Sequence, residues 1–241
     1  MSRRILYVCQ NFNFYTLNAI ILANGPFPKR REALMAIKQS NLLICCDGAY
    51  MRLIESDIFA NAKQIPEVHV VGDGDSLTMT LCDNPPFATT FAPWSSDQEC
   101  NDLTKAVRYA IGLGVSRIVI LGATGLREDH TLGNISLLAY YATLKTIEAK
   151  PLEVRMYSDY GYFTPLLSSS TLSSFPRQQV SLFPLTPGLP ISVEGLRYPI
   201  VHHVFSQWWE ATLNESIEDT FKVILHGDGA VLVYQTHVAK N

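Results

Sequence analysis

The sequence is short of several features that would place a protein in a class at once. Positive charge is not in excess. With 19 Lys and Arg against 22 Asp and Glu, the formal net charge is −3, so no basic field draws the chain to nucleic acid or to an anionic membrane surface. No apolar run approaches the ~18 residues that a membrane-spanning helix needs. The five cysteines are odd in number and none forms a C-x-x-C pair. Cys45 and Cys46 are adjacent inside an apolar segment, which fits buried reduced thiols in a cytoplasmic protein better than a disulfide framework. The opening "MSRRILYVCQNFNFY" has a basic pair and a short apolar run. Gln10, Asn11 and Asn13 interrupt that run and argue against a secretory signal. No internal repeat is visible, and the serine-rich "LLSSSTLSSF" is short enough to be a surface loop. The pattern G-x-x-x-x-G-K-[ST] does not occur, which excludes a P-loop kinase.

What the chain does have is alternation. Of its 241 residues, 47% are hydrophobic and 17% charged, enough for a sizeable core in one or two domains. "NAIILANG", "NLLICCDG", "EVHVVGDGDS" and "SRIVILGATG" are short runs rich in Ile, Val and Leu, each ending in glycine or aspartate. Between them lie stretches of helical character, Arg31–Gln39, Tyr50–Ala60 and Asp102–Leu113. In the last, Leu103, Ala106, Val107, Ala110 and Ile111 share one face, and Ser96 and Glu99 have the spacing of a capping box ahead of it. Continuous apolar runs suit strands buried on both faces of a parallel sheet. The expectation is a doubly wound, mostly parallel α/β domain over residues 1–150. A helix from Thr131 to Ile147 closes it, with Pro151 beyond. From 151 to 241 the helical period fades and strands separated by Pro, Gly and Ser predict a small all-β domain. Within it "TFKVILHGDGAVLVYQTHV" reads as a hairpin turning at Gly227–Gly229.

In an open parallel sheet, ligands bind beyond the carboxyl ends of the strands. The apolar runs end at Asn24-Gly25, Asp47-Gly48, Gly72-Asp73-Gly74-Asp75-Ser76 and Gly122-Ala123-Thr124-Gly125, so polar residues and glycines collect on one edge. Ordinary turn chemistry accounts for one or two such ends. It accounts less well for two aspartates flanking a single glycine. Asp73 and Asp75 repel one another unless a cation lies between them, and oxygen-only ligands of this kind suit Mg²⁺ with substrate phosphates. An EF-hand is excluded, because Leu77 and Thr78 stand where a ligand and a glycine belong.

Two further clusters reach the same edge. "SSDQECNDLTKA" brings Asp97, Gln98, Glu99 and Asp102 to a helix start, where the helix dipole alone favours acidic residues. "LGATGLREDHTLGN" brings Arg127, Glu128, Asp129 and His130 to a strand-to-helix turn. Arg127 offers a planar fork for phosphate, Asp129 a ligand for metal or substrate, and His130 the first turn of a helix that favours anions. The other reading is that Arg127 and Asp129 simply pair at the surface. These residues point to metal-assisted chemistry on a phosphorylated ligand, with the acceptor left open.

"CCDGAY", "VVGDGDS", "SSDQECNDLTKAV", "ILGATGLREDHTLGNISLL" and the later "VEGLRYPI" occur in an order and spacing that resembles thiamine pyrophosphokinase, from "ILANG" to "TLNES". The resemblance implies an α/β nucleotide domain followed by a β-sandwich that helps hold thiamine. It implies transfer of a diphosphoryl group from ATP to thiamine with release of AMP, in a homodimer with shared active sites. It assigns Asp73, Asp75 and Asp102 to Mg²⁺ and Gln98 to substrate. Arg127, Asp129, His130 and Asn134 fall beside phosphates or thiamine, and Asn24, Asp47 and Gly48 on the nucleotide side. The chain departs from the pattern at Ala49, where a second glycine is usual, at Asn101, where threonine is usual, and at Leu213, where serine is usual. Asn214 keeps its frame, and Thr212 is the remaining hydroxyl. In "SQWWEA" one of Trp208 and Trp209 is expected to stack on thiamine and the other to be core, since neighbours in a strand face opposite ways. His202 and His203 lack a partner at metal-ligand spacing. The competing readings are another ATP-dependent phosphotransferase on the same scaffold, or a non-catalytic nucleotide or thiamine sensor.

Overall fold

The computed structural model describes residues 18–74, 83–92 and 100–240. They divide into two compact units. One runs to Ile135 and resumes over Leu144–Ser158; the other comprises Ser136–Thr143 and the chain from Asp159 onward.

The first unit contains β1 (Asn18–Leu22), α1 (Arg31–Gln39), β2 (Leu42–Cys46), α2 (Ala49–Glu55), β3 (Glu67–Val71), β4 (Thr89–Phe91), α3 (Asp102–Gly112), β5 (Arg117–Leu121) and β6 (Glu153–Tyr157); α4 (Glu128–Thr143) begins in it. The strands pair in the order β6-β5-β1-β2-β3-β4, and each neighbouring pair is parallel. All five residues of β2 are buried, which is why its sequence is an unbroken apolar run. Parallel neighbours need crossovers, and the helices supply them. Leu103, Ala106, Val107 and Ala110 bury the inner face of α3 against β1, β2 and β3. A buried His69 on β3 ties that helix down: Nδ1 meets the Tyr109 hydroxyl at 2.8 Å, and Nε2 meets Glu67 Oε1 at 2.7 Å.

Helix ends differ from expectation for local reasons. The expected capping pair, Ser96 and Glu99, lies outside the described residues. Asn101 caps α3 instead, its Oδ1 accepting the Thr104 N–H at 2.9 Å, a donor that would otherwise have no partner within the helix. α2 stops at Glu55 rather than Ala60, because the Ser56 hydroxyl donates to the Leu53 carbonyl at 2.6 Å and Asp57 turns left-handed at φ +51°. α4 starts at Glu128, earlier than Thr131, and stops at Thr143, short of Ile147. β6 pairs with β5, helped by Arg117 and Glu153 at 2.9 Å. The parallel sheet therefore continues past residue 151.

The second unit holds β7 (Gly161–Leu166), β8 (Ser170–Ser173), β9 (Gln178–Pro184), β10 (Ile191–Glu194), β11 (Ile200–His203), β12 (Asn214–Glu215), β13 (Thr220–Leu225) and β14 (Val231–Ala239). They form two antiparallel layers, β12-β9-β14-β7 and β11-β10-β13-β8. Alternate residues of both layers make the core: Leu172, Ile191, Val193, Phe221 and Val223 from one, Leu166, Val180, Leu182, Val231 and Val233 from the other. Each such side chain contributes roughly 1.5–3 kcal/mol on full burial. The expected hairpin at Gly227–Gly229 does not form. β13 pairs with β10 and β8, and β14 with β7 and β9. Those glycines carry the chain from one layer to the other, fastened by His226 N–H on the Pro190 carbonyl at 3.0 Å and Leu185 N–H on the Ala230 carbonyl at 2.9 Å. Among the described residues no helix is long and apolar enough to cross a membrane.

Candidate active site

In the first unit the chain leaves β1 toward β2 on one side, while β5, on the other side of β1, continues to β6. The strand order therefore reverses between β1 and β5, the position where a crevice opens beyond the carboxyl ends. Hydrogen bonding runs on past the two strands: Ala23 N–H donates to the Leu121 carbonyl at 2.8 Å, and Gly25 N–H to the Gly122 carbonyl at 2.7 Å. A Cβ on Gly25 would stand 2.2 Å from the Gly122 oxygen, so only glycine lets the two loops approach this closely.

Parallel strands deliver the predicted residues to this same edge. Asn24 stands two residues beyond β1, and its Oδ1 accepts from Arg52 Nε–H at 3.0 Å. Asp47 follows β2 and is buried; its N–H donates to the Val71 carbonyl at 2.9 Å, and its carbonyl accepts from Tyr50 N–H at 3.0 Å. Gly48 follows it, and Asp73 stands exposed on the turn after β3. Asp102 opens α3, with Lys105 Nζ 3.3 Å from Oδ1. Asp75 and Gln98 lie outside the described residues.

Electrostatics locates Asp102 more closely. Burial pushes the Cys46 thiol well above its ordinary range, and the charges of Asp102, Cys45 and Asp47 push it further. The start of α3 thus lies near the end of β2. Asn101 reaches the other way, its Nδ2 donating to Asn134 Oδ1 at 3.4 Å, while Asn134 Nδ2 donates to the Ala123 carbonyl at 2.9 Å beyond β5. Through Asn134 the start of α3 is thus tied to the loop that follows β5.

The donor set fits a hard divalent cation. Asp73 and Asp102 offer carboxylate oxygen, the donor type that suits a hard divalent cation. Among the described residues no three His, Cys, Asp or Glu side chains are gathered for a metal. Asp75, the third predicted carboxylate, is outside them.

Arg127 and Asp129 form a two-pronged pair, Nε to Oδ1 at 3.1 Å and Nη2 to Oδ2 at 2.6 Å, with 73% and 62% of their side chains exposed. The surface pairing allowed by the sequence is the arrangement present. His130 lends its N–H to Asp129 Oδ1 at 2.8 Å, and its side chain is exposed. Asn134 spends its amide on Asn101 and Ala123 rather than pointing free.

In the second unit, the expectation of a strand with one core tryptophan is overturned. Trp208–Ala211 is a 3-10 turn, and Trp208 and Trp209 are 51% and 73% exposed. The side chain of Ala211, not a tryptophan, fills the interior. Trp208 is anchored by its Nε1–H on the Pro184 carbonyl at 3.2 Å and by an edge contact with Phe183; Trp209 stands further out. The Thr212 hydroxyl donates to the Trp209 carbonyl at 2.7 Å. Leu213 is exposed with φ +60°. Asn214 is buried and bound to main chain, Nδ2 to the Tyr198 carbonyl at 2.7 Å and Oδ1 from Tyr198 N–H at 3.1 Å. It therefore holds the "VEGLRYPI" segment. His202 packs on His226 with ring centres 4.5 Å apart, and His203 lies 3.8 Å from Glu210. Three residues escaped sequence reasoning: Asn101 as cap, Tyr109 as partner of His69, and Arg52. Arg52 had a visible signal, a cation one helical turn after Gly48, and so had Asn101, a preferred cap residue directly before a helical run; Tyr109 had none.

A parallel sheet with glycine and carboxylate turns at its switch point, followed in the chain by an antiparallel sandwich, defines a two-unit protein with an α/β ligand-binding unit. Residues 34–149 match the family model "Thiamin pyrophosphokinase, catalytic domain" and residues 161–234 match "Thiamin pyrophosphokinase, substrate-binding domain". The chain belongs to the thiamin pyrophosphokinase family. Thiamine pyrophosphokinase 1 of Arabidopsis thaliana is 26% identical over 161 residues, covering 61% of this chain and 60% of that protein. The match thus spans less than two thirds of that relative's length. The crystal structure of thiamine pyrophosphokinase from Bacillus subtilis shares the fold, with a TM-score of 0.69 at 20% identity, covering 91% of this chain and 98% of that one. Thiamin pyrophosphokinase from Candida albicans does so with a TM-score of 0.74 at 18% identity, covering 92% and 90%.

Proposed function

We propose that the chain transfers a diphosphoryl group from ATP to the hydroxyl of thiamine, giving thiamine diphosphate and AMP. The observation that carries this reading is that Asn24, Asp47, Asp73 and the Arg127–Asp129 turn each follow a strand of one parallel sheet, with Asp102 at a helix start, in a chain of this family. The thiamine oxygen attacks the β-phosphorus in line. The new O–P bond forms as the bond from that phosphorus to the AMP oxygen breaks, and AMP leaves with the electron pair. The hydroxyl proton passes to a carboxylate at the edge, Asp75 or Asp102. Such a step asks mainly for positioning and charge neutralisation.

Asp73, Asp75 and Asp102 are the residues proposed to hold Mg²⁺, which when bound offsets the negative charge of the phosphates. Arg127 lies on the phosphate side, with Asp129 orienting it. His130 and Asn134 support that turn, and Gln98 contacts substrate. On the thiamine side we place Trp208, Trp209, Thr212 and Asn214, the tryptophans as flat faces for an electron-poor ring and Asn214 as support for the loop. The working form is a cytoplasmic homodimer with shared active sites.

The test is nucleotide product analysis with ATP, thiamine and Mg²⁺ together and with each omitted. AMP formed only in the complete mixture is the expected result. ADP would point to a simple phosphotransferase, and no product to a sensor.

A further inference from the structure

Among the described residues, Lys105, Arg127 and Arg52 stand on the polar edge of the first unit, and their charges are handled differently. Lys105 faces Asp102 at 3.3 Å, and Arg127 faces Asp129 at 2.6 Å. Arg52 forms no ion pair among the described residues; its hydrogen bond is to a neutral group, Nε–H to Asn24 Oδ1 at 3.0 Å.

The local structure builds this arrangement deliberately. α2 buries Ala49, Tyr50 and Leu53, so Arg52 stays on the outer side and is partly exposed. A helical side chain leans back toward the helix start, which carries Arg52 over Gly48 to the end of β1. Asn24 is in turn pressed onto Gly48, where a Cβ would stand 2.4 Å from Asn24 Nδ2. Asn24 is therefore fixed between a bare stretch of main chain and the guanidinium. Holding Arg52 by Nε leaves both terminal nitrogens as donors, the geometry that grips a phosphate with two bonds. A carboxylate partner would have neutralised the charge, whereas the Asn24 amide orients it, and among the described residues no carboxylate pairs with it.

We infer that Arg52 is a nucleotide-binding residue that contacts an anionic phosphate of ATP, with Asn24 as the residue that positions it. The inference rests on the proposed nucleotide reading of this edge and adds a residue to it. Arg127, already committed to Asp129, must give up part of that pair to bind phosphate. Arg52 need not.

The experiment uses the full chain and a non-hydrolysable ATP analogue, with adenosine as the phosphate-free control, in calorimetry and steady-state kinetics. Arg52→Gln should weaken analogue binding and raise the KM for ATP by on the order of tenfold to a hundredfold, the scale of losing a hydrogen-bonded charge. Adenosine binding and the KM for thiamine should stay as they are. Arg52→Lys, which keeps the charge and loses the planar fork, should give a smaller rise in the same parameter and guards against a Gln variant that fails to fold. Asn24→Ala should also raise the KM for ATP, by freeing the guanidinium. Analogue affinity equal to wild type in either Arg52 variant overturns the assignment. A wild-type chain that binds neither the analogue nor adenosine overturns the nucleotide reading along with it.

Discussion

Arg127 grips Asp129 through two parallel hydrogen bonds across a gap of only one residue, and the His130 N–H closes on the same carboxylate at 2.8 Å. The side-chain bonds from Arg127, then the backbone bond from His130, hold the Asp129 carboxyl down at about 2, and the carboxylate raises the guanidinium in return. Because the folded value is depressed, whatever stability the pair contributes is complete above the ordinary carboxylate range. It is lost as pH falls through about 2. In a carboxyl-carbon NMR titration Asp129 should move with a midpoint near 2, and in Arg127→Gln the midpoint should rise toward ~3.9. An unmoved midpoint in the variant would mean that the His130 amide alone sets it.

The carboxylates on the strand edge carry the second prediction. Asp73→Asn, Asp75→Asn and Asp102→Asn should each lower turnover by on the order of 10²-fold or more, the scale of losing a key electrostatic group. Asn can keep the turn and helix-start hydrogen bonds, so melting temperatures should change little. The effect should be largest at limiting Mg²⁺. Normal turnover under that condition in all three would remove the metal assignment.

Gly25→Ala tests the close approach of two loops. The added methyl would stand 2.2 Å from the Gly122 oxygen, and the Gly25 N–H to Gly122 bond of 2.7 Å would have to open. Overpacking of this kind costs about 1–3 kcal/mol, or about 2–4 °C in melting temperature for each kcal/mol in a chain of this size. Nucleotide affinity should fall too, because the switch-point crevice is made by the same two loops. A variant with unchanged melting temperature and affinity would show that the loops separate at no cost.

Trp208 and Trp209 should separate by degree of exposure rather than by face. Trp209, 73% exposed, should be replaceable by leucine with almost no change in melting temperature. Trp208, anchored on Pro184 and Phe183, should cost somewhat more, but far less than the ~3–5 kcal/mol of losing a core tryptophan. If either ring stacks on thiamine, its leucine variant should raise the KM for thiamine roughly threefold to thirtyfold and leave the KM for ATP alone. No change in either variant would place the stacking elsewhere.

Much of the first unit was legible in the sequence. Apolar runs such as Leu42–Cys46 are continuous because the strand is buried on both sides, and a run of that kind ending in Asp47-Gly48 announces both a parallel strand and its ligand edge. Helix boundaries were less legible, since they turned on single hydrogen bonds from Asn101 and Ser56. The tryptophan pair misled because two adjacent aromatics between strands look like strand. A 3-10 turn that buries Ala211 and leaves both rings out has no periodic signature to distinguish it.

The order of residues alone settled the parallel sheet and the edge on which its glycines and aspartates collect, because each depends on burial pattern and on spacing along the chain, and it carried the motifs by which the chain resembles its family. It could not say that β13 and β14, separated by a short glycine turn, belong to different layers. Alternation reports that a strand has one buried face and is silent on which neighbour supplies its hydrogen bonds. Nor could it pair Asn24 with Arg52, Asn101 with Asn134 or His69 with Tyr109. Those contacts join residues far apart in the chain, and their chemistry exists only once the sheet has brought strand ends and helix starts to the same place.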